Sequence, residues 1–193
     1  HGMPMAFPIL LTNDDGINSP GLQELASSLN ARGHPLVVLA PLTEQSAVGM
    51  KLTLRDDMAF QEHTDIADTI RVNEEAPLRV FSLDGSPCDC VIVAIDGGLR
   101  AWAPEIEPWM CISGINRGPN LSVDVLHSGT VSAARESALY GLPSLSVSLA
   151  TYSHEDYSDS IRATLDVIAG LSSFVTNKPD NLLRPQGSKK KPP

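Results

Sequence analysis

The chain has 193 residues, enough for one domain with a substantial core, and 42% of them are hydrophobic although only 5% are aromatic. The net charge of −9 excludes a surface that coats nucleic acid, but not a small anionic substrate held by a metal ion. No apolar stretch is long enough to cross a bilayer, and three cysteines are too few for a disulfide framework. We therefore expect a cytoplasmic protein with buried, reduced cysteines.

The first part of the chain predicts a strand–helix–strand unit. Residues 7–12 form a short apolar run, typical of a buried strand, which ends in the polar turn 13–16. Pro20 stands near the start of a predicted helix and Gly33 ends it. The apolar residues of that helix recur at helical spacing: Leu22, Leu25, Ala26 and Leu29. The apolar run 36–40 predicts the second strand, parallel to the first.

The middle of the chain is less regular. Apolar residues scattered among polar ones in 51–82 predict short antiparallel strands or hairpins inserted in the main fold. Residues 86–99 predict a helix, although the β-branched run 91–93 leaves a strand open. The remaining predicted elements are a strand at 109–113, a helix at 131–139, a strand at 145–149 and a helix at 161–175. Alternating strands and helices predict an α/β fold with a doubly wound, mostly parallel sheet.

The ends of the chain are expected to lie outside this domain. Residues 1–8 start without the basic and apolar segments of a secretory signal, and we interpret them as an N-terminal extension left by cloning. Residues 9–176 are expected to form a single domain. Residues 177–193 are polar and end in lysines and prolines, so we expect a disordered tail.

Asp14 and Asp15 are the first candidate site residues. Ligands bind beyond the carboxyl ends of the strands in such a sheet, and this pair directly follows the first strand. Adjacent carboxylates at a buried strand end repel each other and need a cation or several hydrogen-bond donors to stay ionised. Mg²⁺ prefers such oxygen ligands. A simple Asp-Gly turn with solvated carboxylates explains the pair equally well.

Two further loops are expected at the same edge. The loop 114–130 carries Asn116 and Asn120, whose amide oxygens are neutral ligands for a hard metal ion. Ser128-Gly129-Thr130 opens a helix, where N–H groups and the helix dipole favour an anion, although ordinary N-capping also explains it. Ser46 lies in the loop 41–50 and is by itself an ordinary loop serine. Together, carboxylates, neutral oxygens and an anion cradle predict metal-assisted phosphoryl chemistry.

Other catalytic motifs compete poorly. The sequence has no G-x-G-x-x-G, Walker or G-x-S-x-G motif, and its histidines form no H-x-x-x-H pair. His127 adjoins the anion cradle, but a surface or packing role explains it as well. A phospho-receiver domain with Asp84 as acceptor remains open, although it would need a lysine near Leu149. A haloacid-dehalogenase-type phosphatase would need Asp-x-Asp.

With these residues in view, the sequence resembles the SurE family of stationary-phase survival proteins, which are metal-dependent nucleotidases. The resemblance runs from Ile9 to Leu149. It rests on Leu11-Thr12-Asn13-Asp14-Asp15-Gly16, Pro20-Gly21, Ala40-Pro41, Ser46, Leu52-Thr53-Leu54, Gly85-Ser86-Pro87-Cys88-Asp89-Cys90-Val91, Ser113-Gly114-Ile115-Asn116, Gly118, Asn120, Asp124-Val125, Ser128-Gly129-Thr130-Val131, Ala133-Ala134, Glu136 and Ser146-Val147-Ser148-Leu149. The sequence departs from the family pattern at Ser122, Ser137 and His127.

The resemblance implies a Rossmann-like fold and hydrolysis of nucleoside 5′- and 3′-monophosphates with Mg²⁺ or Mn²⁺. It implies metal ligands at Asp14, Asp15, Ser46 and Asn116, and it alone singles out Ser46. It also implies a homodimer or homotetramer. Family members continue beyond this match with a β-region and an arm, so 9–176 is expected to lack that part.

The expected mechanism is in-line attack of water on the phosphate. Asp14, Asp15 and Asn116 act as catalytic residues, and Asn13, Asn120, Ser128, Gly129 and Thr130 bind phosphate or substrate. The alternative is a regulatory relative that binds metal and nucleotide without catalysis.

Overall fold

The computed structural model describes residues 6–43, 59–119, 128–150 and 156–175. These residues contain six strands in one sheet, in the order β3-β4-β2-β1-β5-β6, with β3 antiparallel to β4 and all other pairs parallel. The predicted α/β fold with a mostly parallel sheet is therefore confirmed. The predictions for Ser46, Asn120, His127 and the tail 177–193 lie outside the described residues.

The strands are β1 Ile9–Thr12, β2 Leu36–Pro41, β3 Phe60–Glu62, β4 Leu78–Leu83, β5 Met110–Asn116 and β6 Ser144–Ser148. The helices are α1 Pro20–Ala31, α2 Thr64–Ile70, α3 Pro87–Val93, α4 Leu99–Trp102, α5 Gly129–Leu139 and α6 Ser158–Leu171, and a π-type turn, Ala94–Gly98, joins α3 to α4. Helices α1, α2 and α6 cover one face of the sheet, and α3 and α5 cover the other.

Helix α1 follows its sequence signals closely. The Ser19 side chain accepts a hydrogen bond from the Leu22 N–H, and Pro20 occupies the first turn, where its missing N–H costs nothing. Leu22, Leu25 and Leu29 are buried against the sheet, and each stabilises the fold by about 1.5–3 kcal/mol. The helix thereby holds the polar loop that precedes it against the end of β1.

The short antiparallel strands or hairpins expected in 51–82 are confirmed only in part: β3 does pair antiparallel with β4, but a helix separates the two strands and they belong to the main sheet. Residues 64–70 form α2, which buries Ala67 and Ile70 one turn apart. Residues 78–83 form β4, which pairs parallel with β2 and is a strand of the main sheet. The antiparallel component is the edge strand β3. The apolar run of β4 is short and follows a mostly polar helix. Its place in the main sheet was therefore not recognisable from the local sequence.

Helix α3 begins at a capping box, as expected from 86–89. Ser86 accepts from the Asp89 N–H at 3.1 Å, and the Asp89 carboxylate accepts from the Ser86 N–H at 2.8 Å. The alternative strand at 91–93 is excluded, because these residues are helical. All three cysteines carry free thiols and are buried, as predicted. No helix in the described ranges has both the length and the apolar composition of a membrane span.

The buried side chain of Asn30 ties α1 to the chain before β4. Its Oδ1 accepts from the N–H groups of Val72 and Asn73 at 2.7 and 2.8 Å, and its Nδ2 donates to the Asn73 carbonyl. Asn30→Ala would leave two backbone donors without this acceptor, so we expect a loss of about 2 kcal/mol in the free energy of unfolding. Urea denaturation measures it.

Asn73→Ala is the matched control. The Asn73 side chain accepts one hydrogen bond, from the Glu75 N–H, and this bond is exposed to solvent. We therefore expect Asn73→Ala to lower the free energy of unfolding by less than about 1 kcal/mol. Equal losses in the two variants would contradict the structural role given to Asn30.

Candidate active site

The loop after β1 is shaped by Asn13. This side chain is fully buried, its Nδ2 donates to the Gly16 carbonyl and to Ser19 Oγ, and its Oδ1 accepts from the Gly16 N–H. Gly16 has φ of 96°, a conformation that favours glycine. Both amide hydrogens of Asn13 are used within the loop, so the geometry does not favour the predicted contact between its side chain and substrate. Asn13 instead fixes the direction of Asp14 and Asp15.

Asp14 lies against the first turn of α5. The side chain is only 6% exposed. A Cβ atom placed on Gly129 would lie 2.8 Å from the Asp14 Cγ and closer still to Oδ1, so only a glycine leaves room for this carboxylate. The positive end of the helix dipole favours a negative charge here. Asp14 is therefore buried and directed toward the predicted anion cradle.

Asp15 reaches across to the end of β5. Its Oδ2 accepts a hydrogen bond from the Arg117 N–H at 2.9 Å, across 102 positions of sequence. The side chain is partly exposed. Strands β1 and β5 are neighbours, with Thr12 opposite Ser113, and this pairing brings the two loops together. The solvated Asp-Gly turn does not describe this pair, because one carboxylate is buried and the other is bound to a second loop.

Asn116 ends β5 beside the same helix. Its Nδ2 donates to the Gly118 carbonyl at 2.9 Å, and its Oδ1 accepts from Thr130 Oγ1 at 3.2 Å. Gly118 has φ of 105°, which allows the chain to turn back under the amide. A side-chain hydrogen bond of the predicted metal ligand Asn116 thus links the end of β5 to the first turn of α5.

Ser128 is the N-cap of α5, in agreement with the N-capping alternative given for this segment in the sequence analysis. Its Oγ accepts from the Val131 N–H, and its carbonyl accepts from the Ser132 N–H. The first-turn N–H groups of Gly129 and Thr130 have no acceptor within the helix, as in any helix start. Capping and anion binding are therefore compatible at this terminus.

Cys88 interacts electrostatically with Glu136 and with Asp14, and the sequence predicted no catalytic role for either Cys88 or Glu136. The pKa of the Cys88 thiol is raised to about 12. Burial is the largest cause and the negative charge of Glu136 the second, and the charge of Asp14 makes a smaller contribution. Burial also raises the pKa of Glu136. The Cys88 thiol stays protonated at neutral pH, so it does not offer a thiolate to a soft metal.

The oxygen donors at this edge fit a hard divalent ion. Asp14, Asp15 and Asn116 supply carboxylate and amide oxygens, which suit Mg²⁺ or Mn²⁺ better than soft metals. Within the described ranges, no three His, Cys, Asp or Glu side chains are grouped to hold a metal ion. An ion here would therefore rely on two carboxylates and on neutral oxygens.

Asp84 does not join this cluster. It is exposed at the end of β4, and β2 separates that strand from β1. A phospho-receiver needs its acceptor beside the acidic pair, so the sheet order disfavours that alternative.

Comparison with known proteins assigns this sequence to one family. The family model described as Survival protein SurE matches residues 9–187. The chain belongs to the SurE family. It is 39% identical over 172 residues to 5′-nucleotidase SurE of Synechococcus sp. (strain JA-3-3Ab), a match that covers 89% of this chain and 62% of the relative. It is 42% identical over 149 residues to 5′-nucleotidase SurE of Desulfitobacterium hafniense (strain DSM 10664 / DCB-2), with 77% and 53% covered.

A solved SurE structure gives the same result for the fold. The crystal structure of the SurE protein from Aquifex aeolicus superposes with a TM-score of 0.68 at 32% identity, and covers 86% of this chain and 60% of that chain. This chain thus spans about half to three fifths of the length of the SurE proteins it matches.

Gly129→Ala tests the contact with Asp14. The added Cβ must displace the carboxylate, so we expect affinity for Mn²⁺ to fall about tenfold or more, the scale of a disturbed metal ligand. Calorimetric titration with Mn²⁺ measures the affinity, and a thermal melt checks that the variant folds.

Gly170→Ala provides the same substitution in open space. Gly170 is exposed in α6 and a Cβ there meets nothing within 4 Å, so we expect unchanged Mn²⁺ affinity and a gain of up to about 1 kcal/mol in stability. Wild-type Mn²⁺ affinity in Gly129→Ala would show that the Asp14 carboxylate is not constrained by α5.

Proposed function

We propose that this chain is a divalent-metal-dependent phosphatase that hydrolyses nucleoside 5′- and 3′-monophosphates to nucleoside and phosphate. The observation that carries the proposal is the convergence of three segments at one end of the sheet. Asp14 packs on the first turn of α5, Asp15 binds the Arg117 N–H, and Thr130 binds Asn116. Carboxylates that can hold a metal ion therefore lie beside a helix N-terminus that can bind an anion, and metal-assisted hydrolysis of a phosphate monoester uses both.

The substrate class is supported by the relatives. Curated proteins that match most of this chain bear the name 5′-nucleotidase SurE. We carry that activity to this chain as a proposal, because the match covers only part of each relative. Hydrolysis of 3′-monophosphates rests on the family resemblance.

Asp14, Asp15 and Asn116 would hold Mg²⁺ or Mn²⁺, and Ser46 is proposed as a further ligand from outside the described residues. A bound ion supplies neutralisation of the phosphate oxygens and lowers the pKa of coordinated water. Asp15 is the more exposed carboxylate, so it is also the candidate to orient the attacking water.

The phosphate is proposed to lie at the start of α5. The N–H groups of Gly129 and Thr130 point along the helix axis, where they and the helix dipole stabilise the charge on the phosphate oxygens. Asn120 is proposed to add a contact from outside the described residues. Most of the rate enhancement would come from this positioning and charge stabilisation, since the uncatalysed hydrolysis of monoesters is extremely slow.

Two further proposals concern the setting of the enzyme. Buried free thiols suit a reducing compartment, so we propose a cytoplasmic location. A homodimer or homotetramer is proposed from the family resemblance.

Asp14→Asn tests the proposal directly. It removes one negative charge at constant size, so we expect weaker Mn²⁺ binding and a fall of about 10²-fold or more in turnover, with the fold retained. Phosphate release from a panel of nucleoside 5′- and 3′-monophosphates, with Mg²⁺ and with Mn²⁺, measures turnover, and calorimetry measures metal affinity.

Asp84→Asn is the control, because it makes the same change at an exposed aspartate remote from β1. It should leave both quantities unchanged. A wild-type protein that binds Mn²⁺ but releases no phosphate would support the regulatory, non-catalytic alternative. Unchanged Mn²⁺ affinity in Asp14→Asn would refute the ligand assignment.

A further inference from the structure

The side-chain hydroxyl of Thr130 contacts the predicted metal ligand Asn116. Thr130 is the second residue of α5 and is fully buried. Its hydroxyl donates to Asn116 Oδ1 at 3.2 Å. A hydroxyl has one hydrogen, so in this arrangement Thr130 has none to donate to a phosphate. Its backbone N–H is a separate donor, and the two groups can have different roles.

The amide of Asn116 is held at both ends. Nδ2 donates to the Gly118 carbonyl, and a flipped amide would place Oδ1 against that carbonyl oxygen. The orientation with Oδ1 toward Thr130 is therefore the one that satisfies both contacts. An amide oxygen has two lone pairs, so it can accept from Thr130 and still face a metal ion.

We propose that Thr130 is a positioning residue, whose hydroxyl holds the Asn116 carbonyl oxygen in the orientation that binds the metal ion. This inference rests on the proposed function, in which Asn116 is a ligand. A neutral amide oxygen is a weaker ligand than a carboxylate, so it depends more on being held in place. Groups that orient metal ligands in this way contribute measurably to metal affinity.

The assignment separates two roles within one residue. The Thr130 side chain acts on the metal through Asn116, whereas its N–H acts on the phosphate. Removal of the hydroxyl should therefore weaken metal binding, and leave the intrinsic affinity for phosphate at saturating metal unchanged. A hydroxyl that bound phosphate directly would give the opposite pattern.

Thr130→Val tests the proposal, because valine has nearly the shape of threonine without the hydroxyl. Calorimetric titration with Mn²⁺ in the absence of substrate should show affinity reduced about tenfold or more. Titration with inorganic phosphate at saturating Mn²⁺ should give the wild-type affinity. Thr130→Ser retains the hydroxyl and should restore Mn²⁺ binding. If Thr130→Val does not fold, Thr130→Ala replaces it and adds no bulk.

Thr164→Val is the matched control. Thr164 is also a buried helical threonine, but its hydroxyl donates to the Ser160 carbonyl within α6. We expect this variant to bind Mn²⁺ with wild-type affinity, so any general effect of losing a buried hydroxyl is accounted for. Thermal melts of all variants confirm that they fold.

The possible outcomes separate this inference from the function on which it rests. If wild type does not bind Mn²⁺, the proposed metal site fails and the inference fails with it. If Asp14→Asn loses Mn²⁺ binding but Thr130→Val keeps it, the metal site stands and the role of Thr130 is overturned. Wild-type Mn²⁺ affinity with weakened phosphate binding in Thr130→Val would instead assign its hydroxyl to the phosphate.

Discussion

The close packing of the Asp14 carboxylate on the first turn of α5 is the constraint on which the rest of this edge of the sheet depends. A buried carboxylate is costly unless donors or positive charge surround it. The helix terminus provides part of that compensation, and only a glycine at position 129 lets the carboxylate come so near. The neighbouring Asp15 extends toward the end of β5, where its carboxylate accepts a hydrogen bond from the Arg117 N–H. The contact of Asp14 with Gly129 and the hydrogen bond of Asp15 with Arg117 together link the loop after β1 to α5 and to the end of β5.

Sequence patterns predicted the parts of the fold whose signals are local. The buried strands β1 and β2 and the capped helix α1 each carry their signal within a dozen residues. The strand β4 has an apolar pattern of its own, but its pairing was not predicted, because its partner β2 lies some forty positions earlier in the chain. Parallel pairing between distant segments leaves no local pattern that distinguishes it from a hairpin.

The candidate site shows the same division. Residue type and position after a strand led to the prediction of Asp14, Asp15 and Asn116 as site residues, and the structure brings all three to one edge of the sheet. The same reasoning assigned Asn13 to substrate, although its amide is used to shape its own loop. It also gave no hint of the bond between Thr130 and Asn116, because the direction of a hydroxyl depends on how α5 sits against β5. Chemistry can be read from residue types, whereas hydrogen-bond partners require the tertiary arrangement.

The long sequence separation between Asp15 and Arg117 has a thermodynamic consequence. These segments meet only when β1 and β5 have paired, so the unfolded chain does not present the oxygen donors together. An ion that binds there selects the folded chain, and at a hundred times its dissociation constant it would add about 2.7 kcal/mol to the free energy of unfolding. Occupancy by the ion and the equilibrium stability of the fold would then rise and fall together, so a fall in the concentration of the ion would lower the folded fraction of this chain.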